Sequence, residues 1–538
     1  MVVTSQDLAP ISLDTGRDTP SADLSVPPPD AADASVADVG GADTSILVAE
    51  VGGVDSSIPM DGAGGNCQSA VQAWGYQLPG TSGLNSVAWD NDGTLLTGAT
   101  FYPTTTTFGG TSVTNKGSSD LLVAKLDPST GNAKWVLSAG DQADQSFSGV
   151  VPVGTTAAVH GSFKGTIALP VKGVTKRISN PNTTPIDYLI GLNDSDGSAL
   201  WSESIDLGGG TLVTLAANPG KDYFLVCGYA NNDASDLGVV GTPGGGADVV
   251  VAAVKASDGT VVWAKLFGGA MDQKCLAAAL DDSGNAYFAG VYAGSLDFGG
   301  GALPAGATVT SRSNTGITWV AKFNGADGTF LAAKSFGTTA NVVPSALSLD
   351  PQGALLLAGN FNSDVTFGTQ LLATSGGLPN GSLINGNDGF VAKLNSSSIA
   401  PVWARSLTAP PGYVAGCVGI ASNSTGNVTV TGHFSQTVTV GPGNTVLQAA
   451  TTVGGDLLVV TLSGASGDTL CAQNYGDPAS TGIGANGISI NSRAMDTNKD
   501  RAAIVGFIAD VINFGGSTTA LSSGSAISGT KQGFLLEM

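Results

Sequence analysis

The sequence predicts an all-β protein: a seven-bladed β-propeller of four-stranded antiparallel blades over residues 67–538, closed by an N-terminal outer strand, behind a disordered acidic low-complexity tail over 1–66. Three observations predict it. One position recurs seven times along the chain. Each repeat holds four strand-like runs. The last repeat lacks one run, and the first is preceded by a spare copy of it.

The recurring position is Trp74, Trp135, Trp201, Trp263, Phe330, Trp403 and Leu470, at separations of 61, 66, 62, 67, 73 and 67 residues. Each sits in a short β-prone run such as AKWVLS, VVWAKLFG or PVWARSL, the outer strand D. A hairpin of strands A and B follows, as in NSVAWDNDGTLLTGATF or LAAALDDSGNAYFAGVY. Its Asp-x-x-Gly or Asn-x-x-Gly turn uses glycine to reach positive φ. The second repeat departs from this, reading FSGVVPVGTT. Strand C comes next, as SDLLVAKLD, ADVVVAAVK or NDGFVAKLN, and a tight turn such as DPSTGNAKW leads into the next D. Four strands per repeat make a propeller blade.

Between B and C every repeat carries a further strand-like bead: 106–110, 166–170, 236–240, 296–300, 365–369, 438–442 and 512–516. The last repeat ends on strand C, GFLLEM, while AWGYQL at 73–78 is a D strand with no A, B and C before it. Pairing the two closes the ring and removes both open sheet edges. On these residues, and on GGADVVVAAVKASDGTVVWAKLFGG above all, the repeats resemble the seven-bladed β-propeller repeat family of the SBBP type, across about residues 73–538. The resemblance implies the fold and an exported or surface setting, and brings no activity with it. The turn-and-Trp segment LDPSTGNAKW also resembles the tryptophan-docking motif of quinoprotein-like propellers. There the indole ties adjacent blades together. The quinone-binding features of those enzymes, including an adjacent cysteine pair, are absent, and no cofactor is expected.

Composition narrows the function classes. The net charge of −21 leaves nothing to neutralise phosphates, which argues against nucleic acid, and it argues equally against an anionic membrane surface. No run of 18 apolar residues crosses a bilayer. Charged residues make up only 12% of the chain, a habit of exported and surface proteins, yet MVVTSQDLAP shows no signal peptide. Residues 1–66 hold ten Asp and one Glu against Arg17, with no aromatic residue and no Lys. Such a segment cannot bury enough surface to offset its ordering entropy and reads as a spacer.

Of the five cysteines, Cys227 lies in an apolar strand and reads as a small core residue. Cys275 and Cys417 hold the same place in two repeats that are not neighbours, which argues against a bridge between them. Cys67 and Cys471 lie at or near outer strands of adjacent repeats, where a disulfide or two free thiols both fit.

Several groups with chemical potential have a simpler reading. DNDG at 90–93 and NDSDGS at 193–198 resemble calcium loops, but each offers two Asp where a tight turn needs them, and calcium wants six to eight oxygens. His160 and His433 occupy matching B-strand ends, HGSF and GHF, in the second and sixth repeats, too far apart for a shared metal or proton relay. Asp120, Asp187, Asp248, Asp388 and Asp456 recur just before strand C, where a carboxylate accepts backbone N–H groups; a cation-binding ring is the sharper alternative. No residue is assigned to a catalytic, cofactor or metal site.

The A–B and C–D turns are tight and share one face of a propeller, while the long B–C connections occupy the other. Loops on a rigid scaffold are where recognition concentrates. The expected function is a non-catalytic extracellular or cell-surface binding or scaffold protein, with an unknown protein or glycan ligand on the B–C face. The alternatives are a lyase or hydrolase with acidic residues at the channel mouth, and a purely structural surface component.

Overall fold

Glycine closes the A–B hairpins as the turn chemistry requires. In Asp90-Asn91-Asp92-Gly93, Gly93 takes φ +78° and its N–H donates to the Asp90 carbonyl at 3.0 Å. The second repeat reaches the same result in two residues, between Val153 and Thr156, with Gly154 at φ +61°.

The computed structural model describes residues 75–537 except 79–80, 103–104, 172–173, 219, 240–243, 305–315, 338–341, 376–387, 450–454, 477–482, 492–500, 509–510, 513–520 and 523–531. The expected tail, Cys67 and Trp74 lie outside them. Among the described residues, seven antiparallel sheets hold four strands or more. Blade 1 comprises strands A to D at Thr81–Trp89, Leu95–Phe101, Asp120–Leu126 and Ala133–Ala139. Blade 2 uses Gln145–Val153, Thr156–Phe163, Ile186–Asn193 and Ala199–Ile205. Blade 3 uses Thr211–Ala217, Tyr223–Ala230, Asp248–Lys255 and Val261–Phe267. Blade 4 uses Gln273–Leu280, Asn285–Tyr292, Ile317–Asn324 and Phe330–Phe336. Blade 5 uses Val342–Leu349, Leu355–Phe361, Asp388–Leu394 and Pro401–Thr408. Blade 6 uses Ala415–Ser422, Val428–Phe434, Asp456–Leu462 and Thr469–Tyr475. Blade 7 takes A, B and C from Ile483–Asn491, Arg501–Ile508 and Gln532–Glu537, and D from Gly75–Leu78.

Each blade packs its inner strands on the next, and blade 7 packs on blade 1. The spare N-terminal strand pairs with the C-terminal one as expected, Gly75 opposite Leu536 and Leu78 opposite Gly533. Every A strand carries a bulge at the same place, at Asn85, Ser148, Val213, Leu276, Ser345, Val418 and Asn486. The bulge adds local twist to the innermost strand. Four of the beads open or sit within small outer hairpins, Thr105–Phe108 with Thr111–Thr114 being the first, and Ile512 at the start of a fifth pairs with Leu521. In blade 3 the bead is instead a single turn of 3₁₀ helix, Ser235–Leu237, and in blade 4 an isolated bridge from Asp297 to Ala302.

The docking tryptophans join the blades. Trp135, Trp201, Trp263 and Trp403 are buried. Each donates its Nε1–H to a carbonyl in the C–D turn of the next blade: Asp194 (2.8 Å), Ala256 (2.7 Å), Gly325 (2.7 Å) and Gly464 (3.1 Å). Three residues beyond each acceptor stands a left-handed glycine, Gly197, Gly259, Gly328 or Gly467. A Cβ on any of them would come within 2.6–2.7 Å of the indole, so glycine serves both the φ and the close approach.

The strand register corrects two members of the repeated column. Lys125 faces Trp135 and Lys393 faces Trp403, but Lys322 faces Ala332 and Thr461 faces Cys471. The docking position is therefore Ala332 in blade 4 and Cys471 in blade 6. Leu331 and Leu470 fall on an outward bulge and are exposed, as are Leu200, Val262 and Val402. The blade 4 joint is rebuilt accordingly. Tyr287 donates its hydroxyl to the Ser396 carbonyl of blade 5 at 3.3 Å, the acceptor position the indoles use elsewhere. Ile399, at φ +54° and fully buried, stands where the other turns have glycine, and packs in one cluster with Ala332. An aliphatic side chain thus fills the space an indole occupies at the four tryptophan joints. Ala332→Trp alone should destabilise the fold by about 1–3 kcal/mol through overpacking, and adding Ile399→Gly should recover most of that loss in urea unfolding. Additive costs in the double variant would contradict the exchange.

Candidate functional site

The two loops that resembled calcium sites do meet. Asp90 and Asp92 of the blade 1 hairpin turn converge with Asp194 of the blade 2 C–D turn. Their common partner is Lys125 of strand C, buried, which bonds Asp90 and Asp194 and stands 3.2 Å from Asp92. Burial alone would lower the Lys125 pKa; the hydrogen bonds and charges of Asp194 and Asp90 outweigh it and raise it. Its ammonium sits where a cation would, and it ties two blades beside the Trp135 bond. Blade 5 repeats the device: Lys393 pairs with Asp350 at 2.6 Å and donates to the Gly464 carbonyl at 2.9 Å. Calcium or a chelator should therefore leave the thermal midpoint unchanged, whereas Lys125→Met should cost about 3–5 kcal/mol by stranding a buried carboxylate. A midpoint raised several degrees by calcium in the unaltered protein would overturn this reading.

The five aspartates before strand C are likewise engaged within the protein, and all five are buried. Asp187 accepts the Leu212 N–H (2.7 Å) and the Thr211 hydroxyl (3.1 Å) from blade 3. Asp388 accepts the N–H groups of Ser375 (2.6 Å) and Ala409 (3.0 Å). Asp120 accepts from Lys116 N–H, Asp248 from the N–H groups of Gly244 and Gly269, and Asp456 from the Asn474 amide. Asp120, Asp248 and Asp388 thus fasten B–C or D–A connections through backbone N–H groups, as the strand-start reading expects, Asp187 holds the first residues of strand A of blade 3, and Asp456 is bonded by a side-chain amide of its own strand D. Burial pushes Asp187 up to about 7 against its two donors.

The reading of Cys227 as a plain core residue changes. Cys227 on strand B of blade 3 forms a disulfide with Cys275 on strand A of blade 4, with Cα atoms 5.5 Å apart. Adjacent inner strands of neighbouring blades bring them together. Cys417 holds the place of Cys275 in blade 6, but Ala358 stands opposite where Cys227 would be, and Cys417 is a free, buried thiol. Cys471 is also disulfide-bonded; the pairing with Cys67 that the sequence allows reaches outside the described residues.

A cavity of about 380 Å³ follows the ring axis, lined by strand A residues of blades 1–6 and by one strand B residue, His160. The bulges project Asn85, Ser148, Val213, Leu276, Ser345 and Val418 into it. No Asp or Glu lines it among the described residues. His160 and His433 are not equivalent. His160 lies three residues before Phe163 and faces the axis; His433 lies one residue before Phe434 and faces Gly416.

Burial lowers the His160 pKa to about 4, and lowers that of His433 as well. A depressed histidine contributes its full stability above the unfolded value near 6.5 and loses it as pH falls toward 4. Asp187, raised, acts in the opposite sense over an overlapping range. The His160 contribution is therefore read as a difference. Between pH 7 and 5, the unaltered chain should lose about 2 kcal/mol relative to His160→Gln. Parallel pH profiles for the two proteins would contradict it.

No family model matches this chain, and no curated protein does. Solved structures do. A quinohemoprotein alcohol dehydrogenase, ADHIIG from Pseudomonas putida HK5, matches at 11% identity and TM-score 0.41, covering 87% of this chain and 76% of that one. BamB from Moraxella catarrhalis matches at 13% and 0.34, covering 85% of each. The Neurospora crassa Pan2 WD40 domain matches at 10% and 0.41, covering 85% and 88%. At such identities the likeness concerns the β-propeller fold alone.

Proposed function

We propose that the protein is a non-catalytic binding scaffold of an extracellular or cell-surface setting, engaging a protein or glycan through the face that carries its B–C connections. The observation that carries this is the division of labour between the two faces. The C–D turns are spent on holding the ring, since their carbonyls accept the docking indoles and Lys393, and the Asp194 side chain pairs with Lys125. The B–C connections fold into small hairpins laid along the outer strands, one of them pairing with strand D of blade 5, and they display Leu371 and Val446, about 60% exposed each, on a framework that cannot easily deform. The Cys227–Cys275 disulfide supports an oxidising compartment.

The full chain would be screened on a glycan array and against extracted surface proteins. Leu371→Asp with Val446→Asp should weaken any selected binding at least tenfold, and Thr130→Ala in a C–D turn should not. Loss through the turn variant alone would reverse the assignment of faces. Alkylation of protein taken directly from cells should modify Cys417 in denaturant without reductant and spare Cys227, Cys275 and Cys471. Modification of all four would remove the oxidising compartment.

A further inference from the structure

The joint between blades 6 and 7 cannot be built like the others. At four joints a docking indole bonds a carbonyl in the next blade's C–D turn. Blade 7 takes strand C from Gln532–Glu537 and strand D from Gly75–Leu78, so no C–D turn joins them. The residues before Gly75 are continuous with strand D alone. A lone hydrogen bond to such a segment would hold it weakly, since the net worth of one is about 1 kcal/mol. Blade 6 accordingly carries Cys471, not tryptophan, at its docking position, opposite Thr461.

The spacing of the repeat names the partner. Each acceptor lies seven residues before its own blade's docking position: Asp194 before Trp201, Ala256 before Trp263, Gly325 before Ala332 and Gly464 before Cys471. Seven residues before Trp74 stands Cys67. The turn glycine tells the same story. Gly197, Gly259, Gly328 and Gly467, four residues before the docking position, each make room for an arriving indole. Where Ala332 arrives instead, that place is Ile399, and before blade 7 it is Ala70. Cysteine accounting agrees. The chain has five cysteines. Cys227 and Cys275 bond each other, Cys417 is free and Cys471 is disulfide-bonded, which leaves Cys67 as its one partner within the chain.

We infer that Cys67 and Cys471 form a disulfide that replaces the indole at the joint of blades 6 and 7 and makes the ring closure a reducible latch. The bond encloses blades 1 to 6, and cross-links over long loops constrain the unfolded chain most. In its formation the two thiols give two protons and two electrons to a disulfide oxidant such as oxidised glutathione. A dithiol returns them and becomes a cyclic disulfide. Cys227 and Cys275 are fully buried while Cys471 is half-buried, so a reductant meets the latch first. Once it opens, Gly75–Leu78 holds to blade 7 through its pairing with strand C. The latch does not involve the B–C face and stands or falls apart from ligand binding.

The unaltered full chain, digested without reductant, should yield the Cys67 and Cys471 peptides as one linked species, lighter by two hydrogens than the two thiols. Another partner for either cysteine, or free thiols at both, would overturn the pairing. Dithiothreitol titrated onto the folded protein, with alkylation at each point, should open this bond at concentrations at least tenfold below those that open Cys227–Cys275. With the latch alone open, amide exchange along Gln532–Glu537 should quicken at least tenfold while strand C of blade 3, Asp248–Lys255, stays protected. Cys67→Ser should show the same fast exchange without reductant. Opening of both bonds together, or unchanged exchange along Gln532–Glu537, would overturn the latch. The titration of the unaltered protein decides this even if the variant fails to fold.

Discussion

Trp263→Ala should lower the unfolding free energy by about 3–5 kcal/mol, among the largest losses available to a single substitution here. Trp263 is buried against Phe288 and Phe323, with ring centroids 6.4 Å away in each case, and its Nε1–H holds the Gly325 carbonyl of the next blade. Truncation removes the ring from a core cluster that spans blades 3 and 4 and leaves Gly325 without its donor. It also opens a void over Gly328, where a Cβ would meet the indole at 2.7 Å. Trp263→Phe keeps most of the packing and should cost less, the hydrogen bond itself contributing about 1 kcal/mol. Val262→Ala, one residue away on the exposed bulge, should stay within about 0.5 kcal/mol. Urea unfolding of the three variants gives the order directly. Similar costs for Trp263→Ala and Val262→Ala would mean that the indole does not bind the blades.

The contrast between neighbouring residues also marks how far the sequence could be read. Four docking tryptophans were legible because indole in a β-run is rare and recurs with the turn glycine. Phe330 and Leu470 took the wrong place in the column because apolar identity alone cannot resolve a bulge, and one bulge residue shifts the register by one. Only the pairing of Lys322 with Ala332 and of Thr461 with Cys471 settles it. The signal that could have found it was Ile399, an aliphatic residue where every sister turn has glycine. The aspartates before strand C were legible in role because a short acceptor at a strand start has few other uses. The Cys227–Cys275 bond was not, since it joins strand B of one blade to strand A of the next, a relation across repeats that position within the repeat does not reveal. The cavity histidine was hidden for a similar reason. Its access depends on Gly149, eleven residues earlier and opposite it in the hairpin.

The closure of the ring should separate two truncations that differ by only 14 residues. Removing 1–66 takes away a segment with no aromatic residue and keeps Cys67; the thermal midpoint should move by no more than about 1 °C. Removing 1–80 also deletes Gly75–Leu78, which is strand D of blade 7 and pairs along Gln532–Glu537. The remaining C strand then presents a row of unpaired N–H and C=O groups on the apolar run Phe534-Leu535-Leu536, an edge primed for pairing with another chain. The joint with blade 1 is expected to fail as well. Gly131 in the blade 1 turn holds φ +68°, at the position where Gly197, Gly259, Gly328 and Gly467 each lie under an indole, and Trp74 is the tryptophan the repeat assigns to it. A ring closed by sequence-distant strands distributes this loss around all its blades, because opening one joint frees both neighbours to splay. The longer truncation should therefore aggregate, or unfold about 10 °C or more below the shorter one. Equal solubility and equal midpoints for the two proteins would show that the N-terminal strand does not close the propeller.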